Sequence, residues 1–239
     1  MVMLNFMLGL AQAAPTTDEI LAAVDKNMTH DTRSSELRMM VEGGRRVKQY
    51  EMQSYSRGKG ETALLFLSPS REKGTKMLKR GDSLWMYLPS VEKTQKISGH
   101  MLRQGLMGSD LSYEDLLQST TLTELYEAKM LDQEEQNGRL CYRIELKAID
   151  EGIAYPKRIS WVDVEHLVPV KEDLYALSGM LLKTWTMSDV EQIEGRMFPT
   201  KIVVEDKLQQ SSVTTLEFIN VQFSIELEEE VFSQRWLER

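Results

Sequence analysis

The side chains that most often carry out catalysis are sparse and scattered in this sequence. The three histidines, His30, His100 and His166, lie in separate segments, and no His-x-x-x-His pair, Gly-x-Ser-x-Gly elbow or phosphate-binding glycine loop occurs. The single cysteine, Cys141, excludes an intramolecular disulfide, a cysteine-rich zinc site and an iron–sulfur cluster. The sequence therefore indicates no nucleophile, metal site or cofactor site, and we expect a protein that is not an enzyme.

Adjacent carboxylates are the remaining candidates for catalysis. Glu114 with Asp115, and the run Glu228 to Glu230, have the residue types of a glycosidase acid–base pair. Adjacent acidic residues usually belong to a solvated surface, so we interpret them as surface charge. Hydrolysis of a lipid or glycan is kept as a third hypothesis only.

Composition limits the class of protein and the class of partner. The chain has 239 residues, of which 41% are hydrophobic and 28% charged, which is enough to bury a full-sized core. The 29 basic and 37 acidic residues give a formal net charge of −8 at pH 7. Nucleic acid is therefore not an expected partner, because phosphate binding by a whole domain needs a basic surface.

The first residues have the pattern of a secretory leader. Residues 1–10 carry no charge and lead into Ala11-Gln12-Ala13-Ala14, a small-x-small pattern that signal peptidase accepts. A basic n-region is lacking, so either the start codon is called too late or a longer leader has been trimmed. The alternative is an apolar first helix that packs on the domain. We expect a leader at residues 1–13, one domain at residues 14–239, and a soluble periplasmic protein that is not an integral membrane protein.

The mature chain opens with a helix signal and continues with strand signals. Thr16 can cap a helix whose Glu19 reaches back to the cap, and an apolar stripe follows at helical spacing. From Leu37 onward the apolar period changes to two, and Gly43-Gly44 separates the first two strands. About ten strands then follow with no long helix between them, which predicts an antiparallel meander that must curl.

The clearest alternation in the chain follows the turn at Asn137-Gly138. It predicts a strand with a dry face that contains Tyr142 and Ile144 and a wet face that contains Cys141. No neighbouring base is available to activate this thiol, so we expect it to be merely tolerated on the surface.

The periodicity breaks between Ile97 and Thr121. Glycines at positions 99, 105 and 108 precede a short helix signal in which Ser112 and Asp115 suit the cap. We predict a helical interruption that lies across the sheet, with these glycines as hinges.

Large, deformable side chains are frequent. The chain has fifteen methionines, four tryptophans and eight tyrosines. Because methionine reshapes at low cost, such residues can line a cavity for a flexible apolar guest. Ordinary core filling is the alternative for any one of them.

Two segments resemble a known family. Leu84 to Ser98 contains Trp-x-Tyr-Leu-Pro and then a basic strand with an isoleucine, and Met107 to Leu116 contains Gly-Ser-Asp-x-Ser-Tyr-Glu-Asp. In this order and spacing the chain is similar to the outer membrane lipoprotein-sorting protein family of the LolA/LolB-like superfamily. The strand pattern extends the resemblance from Asp18 to the Val231-Phe232-Ser233 end.

The resemblance implies a fold and a function. The fold is mainly β with a few helices: a curled antiparallel sheet forms an unclosed β-barrel, and helices cover its concave side. The function is that of a periplasmic carrier or chaperone, which binds the acyl chains of lipoproteins or lipids in an apolar hollow for transfer toward the outer membrane. An inner-membrane exporter and an outer-membrane acceptor are the implied partners, and no cofactor is implied. Each methylene removed from water contributes about 0.8 kcal/mol, so acyl chains need such a sheath in the periplasm.

We expect the hollow to be lined by inward apolar residues of the strands. These are Leu37, Met39, Val41, Leu65, Trp85, Tyr87, Leu140, Tyr142, Ile144, Leu146, Trp161, Trp185 and Phe218. The family motif is expected to form the lid over the hollow, either as turn and cap formers or as direct ligand contacts. Its residues are Gly108, Ser109, Asp110, Tyr113 and Asp115. No arginine is assigned as a latch.

A second hypothesis belongs to a different class of protein. The chain is then a non-enzymatic interaction subunit of an envelope or lipid-export assembly, and its concave face grips a protein partner. The acidic segment from Glu226 to Glu230 is then a contact surface.

Overall fold

The computed structural model describes residues 14–43, 46–117, 121–209 and 212–239. The predicted leader at residues 1–13 and the second glycine of the Gly43-Gly44 turn lie outside the described residues. The strands are β1 (Thr32–Gly43), β2 (Arg46–Arg57), β3 (Glu61–Ser68), β4 (Lys76–Arg80), β5 (Ser83–Leu88), β6 (Lys93–Ile97), β7 (Tyr126–Gln136), β8 (Arg139–Ala148), β9 (Lys157–Asp163), β10 (Pro169–Tyr175), β11 (Leu181–Ile193), β12 (Arg196–Asp206) and β13 (Ser212–Phe223).

Helices are few and short. They are α1 (Thr17–Met28), α2 (Tyr113–Leu117), α3 (Leu122–Leu125) and α4 (Gln234–Leu237), with 3-10 turns at Gly99–Arg103, Leu106–Gly108 and Glu229–Phe232. Within the part of the chain that the structure describes, none of the helices combines the length and the apolar character that crossing a bilayer requires.

The strands form a single antiparallel sheet. Strands β1 to β6 make one meander and β7 to β13 a second, and the pairing of β1 with β13 joins the two. The order is β6-β5-β4-β3-β2-β1-β13-β12-β11-β10-β9-β8-β7, so β6 and β7 are the two edges. The sheet is not closed, and the predicted unclosed antiparallel barrel is confirmed.

One side of the sheet, which we call the inner face, carries most of the core. Residues opposite each other in antiparallel strands point to the same side. Met39 lies opposite Tyr50 and Leu216, and on the second meander Ile144 lies opposite Met130 and Ser160. Following this register across the sheet places two apolar clusters on the same face, one over each meander.

Helix α1 covers the inner face of the second meander. Its predicted capping box is present: the Thr16 amide donates to Glu19 Oε2 at 2.8 Å, and the Glu19 amide donates to Thr16 Oγ1 at 3.3 Å. The apolar stripe Ile20, Leu21 and Val24 is buried in the cluster that contains the dry face of β8. A cap and a stripe thus determine both where the helix begins and which side it buries.

The outer face is also partly covered. The C-terminal segment, residues 226–239, which we call the strap, buries Phe232 and Leu237 against Ala63 and Leu78 of β3 and β4. Arg57 pairs with Glu229 at 3.1 Å and anchors the strap from β2. The strap contains one 3-10 turn and the single turn of α4.

The prediction for Cys141 is wrong. The residue is fully buried on the outer face of β8, where it packs with Ile159, Trp161 and Val170. Burial raises the pKa of its thiol to about 11. Alternation separates the two faces correctly, but the outer face is covered at Cys141 by its apolar neighbours and exposed farther along at Lys147, so the polar neighbours of Cys141 misled the assignment.

Candidate functional site

The segment that connects the two edge strands lies over the inner face of the first meander. The structure describes residues 98–117 and 121–125 of this connection, and we call residues 98–117 the lid. The lid has hydrogen bonds of its own: the Leu106 amide donates to the Leu111 carbonyl at 2.6 Å, and the Tyr113 amide donates to the Gln104 carbonyl at 3.1 Å. The predicted cap is present, since the Ser112 amide donates to Asp115 Oδ2 at 2.7 Å and the Asp115 amide to Ser112 Oγ at 3.2 Å.

The tight turn in the lid depends on glycine. A Cβ atom on Gly105 would lie 2.3 Å from the Ser109 carbonyl oxygen, far inside contact distance. Gly108 has a φ of +73°, in the left-handed region that favours glycine. The turn therefore requires glycine at both positions: at Gly105 because a side chain has no room, and at Gly108 because of the positive φ.

The underside of the lid is apolar. Leu106, Leu111 and Tyr113 are buried against the inner face of the first meander and of its neighbours β12 and β13. The sheet residues of this cluster include Met39, Val41, Tyr50, Met52, Leu64, Phe66, Met77, Leu84, Met86, Val204 and Leu216. Four methionines lie in this set, so the surface under the lid is deformable.

A buried ion pair holds the lid to the second meander. Asp115 Oδ2 lies 2.5 Å from Lys183 Nζ, and the exposed fractions of the two side chains are 1% and 9%. The Tyr155 hydroxyl donates to Asp115 Oδ1 at 2.6 Å. Burial, and then the Asp115 carboxylate, raise the pKa of Tyr155, so its hydroxyl stays a donor. Asp115 thus joins the lid to β11 and to the loop before β9.

A second carboxylate anchors the lid to β13. The Thr214 hydroxyl donates to Asp110 Oδ2 at 2.6 Å, and the Ser212 hydroxyl donates to Asp110 Oδ1 at 2.8 Å. The Tyr50 hydroxyl donates to the Met107 carbonyl at 3.2 Å. These polar contacts, together with the apolar underside, hold the motif segment on the sheet.

A second buried ion pair lies deeper on the inner face. Arg158 Nη1 is 3.5 Å from Glu172 Oε2, and Arg158 Nε donates to the Tyr126 hydroxyl at 2.8 Å. Burial raises the pKa of Glu172, and the guanidinium of Arg158 opposes this shift. The sequence analysis missed this pair. The signal that could have found it is the opposite charge of Arg158 and Glu172, which lie at inward positions of the successive strands β9 and β10.

A cleft of about 690 Å³ opens beside the anchors. It lies between the lid, the loop at residues 151–156, the β10–β11 turn and the β12–β13 turn, and Gly108, Ser109 and Asp110 of the motif line it. Leu177 and Leu208 also line the cleft, and their exposed fractions are 89% and 59%. The cleft therefore brings motif residues together with apolar side chains that contact solvent.

The predicted lining residues divide into three groups. Those on the inner face are Leu37, Met39, Val41 and Trp185 in the cluster under the lid, and Phe218 opposite Leu37 beside Arg33. Those on the inner face under or beside α1 are Tyr142, Ile144 and Leu146, together with Leu140, which is 54% exposed. Those on the outer face are Leu65, Trp85, Tyr87 and Trp161.

The inward orientation expected for the third group is wrong. Strand β5 has apolar residues on both sides: Leu84 and Met86 face the lid, whereas Trp85 and Tyr87 pack under the strap. Strands β3 and β9 repeat this pattern. A two-residue period identifies two faces, but it does not tell which one is the inner face when both are apolar.

The chain is similar to a protein family and to several solved structures. A family model described as "-like: Uncharacterized protein" matches residues 58–239. The chain belongs to that family. A DUF1329 family protein from Desulfovibrio piger is 25% identical with a TM-score of 0.84, and the match covers 91% of this chain and 96% of that one. None of the curated proteins compared with the chain matches it.

Two further solved structures address the resemblance in the motif segments. The outer membrane lipoprotein-sorting protein domain described from Vibrio parahaemolyticus is 27% identical with a TM-score of 0.77, over 87% of this chain and 92% of that one. A LolA superfamily protein from Nitrosomonas europaea is 27% identical with a TM-score of 0.78, over 93% and 100%. These similarities confirm the resemblance to the LolA/LolB-like superfamily.

Proposed function

We propose that the protein is a periplasmic carrier or chaperone that holds the acyl chains of lipoproteins or lipids on its inner face for transfer toward the outer membrane. The observation that carries the proposal is the way in which the lid is attached. Within the described residues the lid adds no strand to the sheet, and its turn is built by its own hydrogen bonds. Lifting it exposes the methionine-rich surface and leaves every strand pairing intact.

Loading is then an exchange of contacts. Opening the lid removes its apolar underside from the sheet and breaks the contacts of Asp110 and Asp115. Each methylene of an acyl chain that replaces the underside contributes about 0.8 kcal/mol on leaving water. Methionine side chains adapt to the shape of the chain at low cost. The ligand thus supplies the free energy that lid opening requires.

The solved relatives support this class of cargo. One is described as an outer membrane lipoprotein-sorting protein and another as a member of the LolA superfamily. A carrier role fits a site in which the charged side chains of Asp110 and Asp115 anchor the lid. A periplasmic location fits the fold that this chain shares with these relatives.

The decisive experiment locks the lid. Asp110 and Thr214 are hydrogen-bonded across the boundary between lid and sheet, so the double variant Asp110→Cys/Thr214→Cys can form a disulfide there. We expect the oxidised protein to take up no fluorescent acyl probe, the reduced protein to take it up, and each single variant to be insensitive to reductant. Equal uptake by the oxidised and reduced forms would show that the lid does not cover the binding surface.

The alternative function is that of an interaction subunit that grips a protein partner. The strap gives this alternative a surface, because Glu226 and Glu228 are exposed, whereas Glu229 and Glu230 pair with Arg57 and Arg239. A pull-down that yields one stoichiometric protein partner and no lipid would favour the alternative over the carrier.

A further inference from the structure

An arginine without a carboxylate partner lies at the end of the inner face away from the cleft. Arg33 faces inward at the start of β1, opposite Ser56 and Phe223, whereas Ser212 of the cleft pairs with the other end of β1. Its guanidinium carbon is 5.2 Å from the ring centre of Phe218 and also stacks near Phe198. Among the residues that the structure describes, no carboxylate forms an ion pair with Arg33, and its Nε is enclosed without a hydrogen-bond partner.

The neighbours of Arg33 add positive charge and further unpaired polar atoms. Arg196 donates from Nη1 to the Thr29 carbonyl at 2.7 Å, and its guanidinium lies 5.9 Å from the Phe223 ring. His30 Nε2 is 2.7 Å from Ser56 Oγ, while His30 Nδ1 is enclosed without a partner.

Ser35 extends the same inward row of β1. It is 1% exposed, and its hydroxyl has no hydrogen-bond partner. Two guanidinium groups and two polar atoms without a hydrogen-bond partner, His30 Nδ1 and Ser35 Oγ, therefore lie at one end of the apolar face.

The electrostatics of this cluster are positive. Burial, then Arg33, and then Arg196 lower the pKa of His30 to about 3, so its ring is neutral at neutral pH. Burial alone lowers the pKa of Arg33 to about 10, which leaves it charged. A partly buried cation without a counter-ion is unfavourable, and the flanking phenyl rings offset only part of the cost. An anion at this position removes that penalty.

We propose that Arg33, with Arg196 and His30, binds the phosphate of an anionic lipid headgroup whose acyl chain lies on the inner face. The inference rests on the proposed function and adds to it a headgroup class and an orientation. A guanidinium presents paired N–H donors that match the oxygens of a phosphate. Because Arg33 lies at the start of β1, a headgroup bound there would sit at the end of the apolar surface. The apolar cluster under the lid then takes the chain.

The test compares three probes by titration calorimetry. They are short-chain phosphatidylglycerol, the diacylglycerol of the same chain length, and inorganic phosphate. We expect phosphatidylglycerol to bind about tenfold or more tightly than diacylglycerol, and Arg33→Gln to abolish that preference. The matched control is Arg38→Gln on the same strand, where Arg38 pairs with Glu217 on the opposite face. The control should keep the preference.

Each other outcome overturns a defined part of the inference. Equal binding of the two lipids by the wild type would refute the anion site and leave the carrier intact. Phosphate that binds as tightly as phosphatidylglycerol would identify a site for free phosphate. Failure of both lipids would refute the carrier, and the effect of Arg33→Gln on phosphate binding would then still test the anion site.

A second variant separates binding from folding. Arg33→Met keeps the bulk between the phenyl rings and removes the charge. We expect its melting temperature to be unchanged or higher than that of the wild type, while the preference for phosphatidylglycerol is lost. A merely structural arginine would give the reverse: a lower melting temperature and an unchanged preference. The imidazole signals of His30 provide a local readout, since a bound phosphate raises the pKa of that ring.

Discussion

Replacing Lys183 by methionine tests whether the buried ion pair is a latch. The substitution keeps an unbranched side chain of similar length but removes the ammonium that pairs with the Asp115 carboxylate, which is 1% exposed. The Tyr155 hydroxyl and the Ser112 amide still donate to Asp115. The buried carboxylate is therefore still hydrogen-bonded but has lost the Lys183 ammonium while the lid is closed.

The magnitude follows from this arrangement. Removing one partner of a buried ion pair costs about 3–5 kcal/mol, and the hydrogen bonds that remain on Asp115 place Lys183→Met at about 3 kcal/mol. Because lid opening returns Asp115 to water, the penalty applies to the closed state and not to the open one. The equilibrium for lid opening should rise by about 100-fold.

Hydrogen exchange measured by mass spectrometry reports the opening directly. Amides of the lid turn, such as those of Leu106 and Tyr113, should lose protection by about that factor, while amides of β1 change less. The matched control is Arg143→Met, which breaks the more exposed pair with Asp132 and should cost no more than about 1 kcal/mol. If Lys183→Met lowers the free energy of global unfolding but leaves lid exchange unchanged, the pair belongs to the core and is not a latch.

Three further substitutions or treatments test the packing. Ile144→Asp places a charge at a fully buried position and should cost at least about 4 kcal/mol in urea unfolding, so a stable variant would show that the inner face is misassigned. Gly105→Ala drives a Cβ into the Ser109 carbonyl and should cost about 1–3 kcal/mol with faster exchange in the lid, whereas Gly152→Ala, which meets open space, should be neutral. Cys141 should not react with Ellman's reagent at pH 8 until urea unfolds the protein, because its thiol is buried with a pKa of about 11; rapid native labelling would contradict its position.

Local signals in the sequence predicted much of the fold. The two caps, Thr16 with Glu19 and Ser112 with Asp115, depend on residues three positions apart, and both are present. The two-residue period predicted an antiparallel meander, and its register carries one apolar face across the sheet. The two-residue period assigned the wrong face where a second layer covers the outer side of the sheet. Trp85 is an example, because the strap that packs on it lies far along the chain.

The site was less predictable because its partners are distant in sequence. Asp115 meets Tyr155 and Lys183 only through the order of the strands, which no local pattern encodes. The position of Arg33 was readable in part, since it lies two residues before Ser35 and four before Leu37 in the inward row. The absence of an opposing carboxylate became visible only once the strands that face it were known.

The two halves of the inner face are covered in different ways, and this difference indicates where an acyl chain can lie. Asp25 of α1 accepts hydrogen bonds from the Leu122 amide at 2.7 Å and from the Thr123 hydroxyl at 2.6 Å, so α1 and α3 form one unit over the second meander. Among the described residues the lid turn has no such partner helix, and the anchors at Asp110 and Asp115 hold it. In the proposed carrier, an acyl chain that displaces the lid turn would therefore meet the methionine-rich surface of the first meander, while the residues under α1 would remain a fixed core.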